Sequence, residues 1–250
     1  MKYTYLLIDF CTILVPLIFS FHPRLRFYKS WAAFFPAVVL TGMIFIAWDV
    51  YFTQIGVWGF NEQYLLGIRI LNLPLEEVLF FLCIPYACVF TYHAFSLVLD
   101  NPLAGKVEQS LTVILIIALV SAAIAHPTRI YTVTTFLFLA LLLGFASWVF
   151  QVSWLGRFYL VYGILLLPFL IVNGLLTGSW LADPVVWYNG RGFMGFRIGT
   201  IPVEDIFYGM ALILFNLLLY HLFLQKRTLY EKHRRGTGPA GVTDPKTAPQ

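Results

Sequence analysis

Seven apolar runs, each set off from the next by a polar or Pro/Gly-rich break, take up nearly the whole chain. They lie near Tyr5 to Phe21, Trp31 to Tyr51, Pro74 to Leu97, Leu111 to Ala125, Ile130 to Phe150, Phe158 to Leu176 and Pro202 to Leu224. A bilayer core of about 30 Å takes roughly 20 helical residues per crossing. Backbone polar groups in lipid are satisfied only within helices or closed barrels. The runs therefore predict an all-α integral membrane protein with about seven transmembrane helices. Hydrophobic residues are 60 % of the chain and charged residues 11 %, which excludes an ordinary soluble domain. The fourth run, "LTVILIIALVSAAIA", is short and must borrow flanking residues to cross. The first sits where a signal peptide would, but Asp9 interrupts it and no small-residue cleavage site follows, so it reads as retained.

The cations between the runs orient the chain. Arg24, Arg26 and Lys29 follow the first run, Lys106 the third and Arg157 the fifth, and Lys226, Arg227, Lys232, Arg234 and Arg235 follow the last. All of these fall on one side. The positive-inside rule makes that side cytoplasmic, with the amino terminus outside and the carboxyl terminus inside a multi-pass cell-membrane protein. The net charge of +4 then reflects topology and contact with anionic membrane lipid, and implies no nucleic-acid partner. Residues 229–250, ending "RRGTGPAGVTDPKTAPQ", predict a disordered cytoplasmic tail. Cys11, Cys83 and Cys88 fall inside runs and read as small packing residues.

Shifting the chain by 128 residues (202 minus 74) aligns "FNEQYLLGIRILNLPLEEVLFFLCIPYACVFTYHAF" with "YNGRGFMGFRIGTIPVEDIFYGMALILFNLLLYHLF" without a gap. Asn61 meets Asn189, Gly67 meets Gly195, Arg69 meets Arg197, Pro74 meets Pro202 and Glu76 meets Glu204, while Glu77 meets Asp205. This is the mark of a duplication. Upstream of Asn61 the similarity fades, so the rest of each unit is inferred from loop order. Residues 1–105 form a first three-helix unit, 106–128 a linking helix and 129–228 a second three-helix unit. One linking crossing gives the units the same orientation, a parallel repeat unlike the inverted repeats of many transporters. Both acid pairs then lie at the outer face and line a shared cavity.

A proline followed by acids is ordinary helix-start chemistry: the missing N–H costs nothing at the first helical position and the dipole favours negative charge there. That account covers one copy. It does not explain two adjacent, mutually repelling acids that recur with Arg and Asn at the same offsets. Ionisable groups at membrane depth are expensive and mark function, and neighbouring carboxyls in a poorly hydrated site do not both ionise cheaply. Glu76, Glu77, Glu204 and Asp205 are therefore the candidate catalytic acids. Successive helix residues point about 100° apart, so one acid of each pair faces the cavity and the other bonds loop groups such as Arg69 or Arg197. Sequence leaves open which does which, and Glu76→Gln and Glu204→Gln are taken as the variants that abolish activity. Asn61 and Asn189 accompany the motifs, Asp49 ends the second run beside the first motif, and Trp48, Phe80 and Tyr208 are aromatics near the acids that offer ring faces to a cation. His93 and His221 lie about 25 Å from the acids at helical rise and read as interfacial. Asp9 has no repeated counterpart. The sequence shows no metal-ligand cluster, phosphate-cradling loop or dinucleotide fingerprint.

At "WDVYFTQIGVWGFN", "LPLEEVLFFLCIPY", "VNGLLTG" and "TIPVEDIFYG" the chain resembles the membrane-integral carotenoid cyclases, specifically the lycopene beta-cyclases whose two halves are separate subunits in some bacteria and fused in archaea and fungi. The resemblance runs almost to the tail. It implies that the family's acidic residues fall on Glu76, Glu77, Glu204 and Asp205. It also implies a redox-neutral isomerase, an intramolecular lyase, that turns linear psi-end groups into beta-rings and gives beta-carotene by way of gamma-carotene. A carboxylic acid protonates the terminal double bond, the neighbouring double bond attacks the cation, and a proton is then lost. A lipid-soluble carotenoid substrate, membrane lipids and other carotenoid-biosynthesis enzymes are the implied partners, and no organic cofactor is expected. Two other functions fit duplicated helices with buried acids: a proton-coupled transporter and a carotenoid hydratase in which water captures the cation. A transporter calls for helices broken near the midplane, whereas these Pro-acid motifs begin their spans.

Overall fold

Each apolar run closes into a helix, since only intrahelical bonds satisfy its backbone in lipid. The computed structural model describes residues 2–101, 103 and 105–236. It contains α1 (Thr4–Phe19), α2 (Trp31–Gln54), α3 (Leu75–Ser96), α4 (Lys106–Ala125), α5 (Ile130–Gly144), α6 (Leu155–Leu176) and α7 (Val203–Gly236). Six of these, α2 to α7, are long and apolar enough to cross a membrane. The seventh, α1, has 16 residues and spans only about 24 Å, because the chain leaves the helix ahead of the turn at His22 and Pro23. The fourth run gains its missing length from 106–110, at the start of α4. The helix α5 continues as a π-helical turn over Phe145–Val149. At the other terminus α7 runs to Gly236, so 229–236 of the expected tail are helical, and 237–250 lie outside the described residues.

Much of the surface is apolar, as lipid contact requires. The helix α4 turns Ile114, Ile117 and Ile124 outward and buries a single stripe, Thr112, Leu119 and Ala123. It packs on α5, and the Thr112 hydroxyl lies 2.6 Å from that of Tyr159 in α6.

Six short strands organise the acid-bearing end: β1 (Trp58–Phe60), β2 (Arg69–Ile70), β3 (Leu73–Pro74), β4 (Val186–Tyr188), β5 (Arg197–Ile198) and β6 (Ile201–Pro202). Within each unit a tight hairpin precedes the helix, β2 with β3 and β5 with β6. Gly67 and Gly195 enter these hairpins at φ +94° and +93°, a conformation that side chains disfavour, which explains their identity across the repeat. Pro74 is not the first helical residue, as the sequence suggests, but the residue before it, at φ −66° and ψ 151°. The hairpin demands an extended ψ at that point, and Pro supplies it without needing a backbone donor.

Between the units, β1 pairs with β4 antiparallel, in the register Trp58 with Tyr188, Gly59 with Trp187 and Phe60 with Val186. Shifted by 128, this register maps onto itself, with Gly59 and Trp187 at its centre. Two flanking bonds repeat the relation: Asn61 N donates to Val185 O at 2.9 Å and Asn189 N donates to Val57 O at 2.8 Å. The two loops thus meet about a pseudo-two-fold axis at one end of the bundle, as a parallel repeat requires. The helices interlock as well, α2 packing on α7 and α3 on α6. The units therefore pack against each other along their helices as well as at their loops.

Candidate active site

The first acid of each pair ties the loop to its helix. Glu76 Oε1 accepts from Leu66 N at 2.5 Å, and Glu204 Oε1 accepts from Met194 N at 2.8 Å and from the Thr132 hydroxyl at 2.5 Å. Leu66 and Met194 are again 128 apart. Both carboxyls are buried, and the second oxygen of each has no hydrogen-bond partner among the described residues. Neither is among the residues that line the central cavity.

The second acids are. Glu77 and Asp205, one from each unit, line a cavity of about 670 Å³ together with Asp49, Tyr5, Trp58, Phe80, Tyr131, Asn173, Tyr188 and Tyr208, a volume suited to a small-molecule site. Their surroundings differ. Glu77 receives a single donor, the Tyr5 hydroxyl at 2.5 Å to Oε2. Asp205 receives three: Tyr131 Oη at 2.7 Å on Oδ1, and Asn173 Nδ2 and Tyr188 Oη, each at 2.9 Å, on Oδ2. Tyr5 and Tyr131 reach the second acid from the first turn of α1 and α5, so these helices are equivalent even though their offset is 126. Burial, and then the Asp205 carboxyl, raise the loop phenol of Tyr188 well above its ordinary value, so it remains a donor. Asp49, near the carboxyl end of α2, accepts from the Trp58 indole N–H. Residues Trp58, Phe60, Val186 and Tyr188 of the β1–β4 pair also line the cavity. The strand pair that joins the units is therefore the roof over the acids.

Of the remaining candidates some line the cavity and others do not. Phe80 and Tyr208 line it. Trp48 packs behind it, its ring 5.7 Å from that of Tyr208. Asn61 and Asn189 instead brace their loops, each Oδ1 accepting a backbone N–H two residues on at 3.1 Å. The expectation that Arg69 or Arg197 bonds an acid of the pair is not met. Arg69 pairs with Glu62 and donates to Asn72 O at 2.8 Å. Arg197 donates to Thr200 O at 2.5 Å, and its guanidinium lies 4.7 Å from the centre of the Phe193 ring. Loop carbonyls lie within reach of each arginine, whereas the paired acids are sunk beneath the hairpin.

A family model described as lycopene cyclase matches residues 2–95 and again 128–223. The chain belongs to the lycopene cyclase family. Each matched segment carries one hairpin and one acid pair, and the cavity acids come one from each. Family membership supports a carotenoid cyclase acting in a membrane. A search of curated proteins and one of solved structures found no match.

Sequence reasoning passed over Tyr5, Tyr131, Tyr188 and Asn173. The last lies in "VNGLLTG", quoted above for its resemblance, and the two helix-start tyrosines are visible only once the offset is relaxed from 128 to 126. Asp9 lies one turn beyond Tyr5, buried and with no partner for either oxygen among the described residues. Among the described residues no group of His, Cys, Asp and Glu is placed to hold a metal ion. At the far end His93 bonds Leu25 O at 2.8 Å and His221 stacks on Trp154 at 4.7 Å, away from the acids as expected.

Proposed function

We propose that the chain is a lycopene beta-cyclase with one composite site, in which Glu77 delivers the proton and Asp205 receives it. The observation that carries this reading is that one acid from each unit lines the same cavity. Three donors converging on Asp205 suit an ionised carboxylate, which only accepts. Glu77, with a single donor on Oε2, keeps an oxygen free to carry a proton toward the cavity. Protonation of the terminal double bond of a psi-end leaves a tertiary cation. The neighbouring double bond closes on it, and loss of a proton from the adjacent ring carbon completes a beta-ring. No net redox change occurs, and the reaction as written needs no cofactor. Asp49 and the rings of Trp58, Tyr131 and Tyr208 surround the path and favour positive charge. The strand-pair roof keeps out water, which would trap the cation as an alcohol. This last feature favours a cyclase over a hydratase.

Gamma-carotene is then the first product and beta-carotene the second. The charge bias of the loops supports an acid end at the outer face and a cytoplasmic carboxyl terminus. Glu77→Gln and Asp205→Asn, expressed in lycopene-accumulating cells, test the assignment. Loss of a general acid or base costs about 10²- to 10⁴-fold, so both variants should lose monocyclic and dicyclic pigment together at unchanged protein level. Wild-type yields from either variant would sink the acid–base pair. Accumulation of the monocyclic product alone would instead indicate separate sites for the two ends.

A further inference from the structure

The cavity does not stop at the acids. On α3 it is lined by Glu77, Phe80, Ile84, Ala87, Cys88 and Thr91, one helical stripe that descends about 21 Å from the carboxyl over 14 residues. On α6 the lining runs from Leu176 to Tyr162, an equal drop, and on α1 from Thr4 to Pro16. The space is thus a groove parallel to the helices, floored by α3 and α7 and walled by α1 and α6. Below the carboxyls, Tyr162, Thr91 and Thr12 are the polar exceptions in a lining dominated by carbon and sulfur, and all three hydroxyls are turned to backbone carbonyls, Ile206 O, Ala87 O and Ile8 O. The walls touch only sparingly. Leu7 of α1 and Ile171 of α6 both line the groove and are 60 % and 51 % exposed, so it opens sideways between these helices onto the face that contacts lipid.

We propose that this groove is the polyene site: a linear carotenoid enters sideways from the bilayer between α1 and α6 and lies along the helices, with one end against Glu77 and Asp205. The proposal rests on the cyclase reading for its choice of occupant. A linear carotenoid is about as long as the hydrocarbon core is thick, roughly 30 Å, so the groove holds about two-thirds of it and the far end projects beyond Thr91. The acids stand at one end only. A second ring therefore requires the monocyclic product to leave and return with its other end foremost.

The chain carries its own reporters. It has three cysteines, which sequence reads alike as packing residues. Cys11 and Cys88 line the groove, whereas Cys83 is buried outside it. Cys88 lies about 16 Å below Glu77 along α3. Wild-type protein in lipid nanodiscs would be treated with a lipid-soluble organomercurial, with and without lycopene, and modification read by mass spectrometry. Lycopene should slow modification of both Cys11 and Cys88 at least tenfold. A second measurement uses Thr91→Trp, which fills the deep end: the lycopene concentration for half-maximal turnover should rise about tenfold, while a psi-ended polyene of half length, too short to reach Thr91, should react as in wild type. Turnover with no protection of Cys88 and unchanged lycopene dependence in Thr91→Trp would overturn the groove and leave the cyclase reading intact. Protection of both cysteines without any turnover would uphold the groove and overturn the cyclase. If lycopene neither protects nor reacts, both fall.

Discussion

Glu204→Gln and Glu204→Ala separate an acid that holds structure from one that performs chemistry. Glu204 Oε1 accepts from Met194 N at 2.8 Å and from the Thr132 hydroxyl at 2.5 Å, in a buried setting. Alanine leaves both donors without an acceptor, and each such loss costs about 1–3 kcal/mol, so about 2–6 kcal/mol together. In a chain of this size each kcal/mol lowers the melting temperature by about 2–4 °C, which puts the expected drop at about 5–20 °C. Glutamine keeps an oxygen in place that can accept from both donors. Its drop should be only a few degrees. Neither change removes a group from the cavity, so the glutamine variant should keep turnover within tenfold of wild type. Thermal unfolding in detergent and pigment yield per folded molecule measure the two effects. A Glu204→Gln protein that melts like wild type yet loses turnover more than 100-fold would refute the reasoning and assign the proton-handling role to Glu204.

Three further outcomes follow from the interlocked units. Residues 1–105 and 106–250 expressed separately should be inactive, and co-expression should restore pigment, because α2 packs on α7 and α3 on α6. Gly59→Val should destabilise the protein by about 1–3 kcal/mol, since a Cβ there would sit 2.3 Å from Trp187 Cζ2 and push the indole off the roof; an unchanged melting temperature would show that the strand pair is not needed. Single cysteines at Asn61 and Asn189 in a background free of native cysteines should label with an impermeant reagent from the outer face, and one placed in the tail from the inner face. Labelling of the two loops from opposite faces would break the parallel repeat.

Much of this was legible in the sequence, because a bilayer imposes strong local rules. The helices follow from the lengths of the apolar runs, and the exceptions are local too: α1 falls short at the His22–Pro23 turn, and α4 borrows 106–110. The repeat was readable because duplication preserves residues with fixed backbone duties, such as Gly67 and Gly195 at positive φ. The four acids stood out because carboxyls are costly at membrane depth. What the sequence did not decide is which acid of each pair faces the cavity. Glu76 and Glu77 are neighbours of the same type, and their division depends on Leu66 N–H and the Tyr5 hydroxyl, groups brought in from a loop and from another helix. Nor did it reveal the roof, the groove, or the three donors that converge on Asp205 from α5, α6 and β4. Local pattern reports what each segment must do to live in lipid; only packing between the units decides which side chains share one cavity.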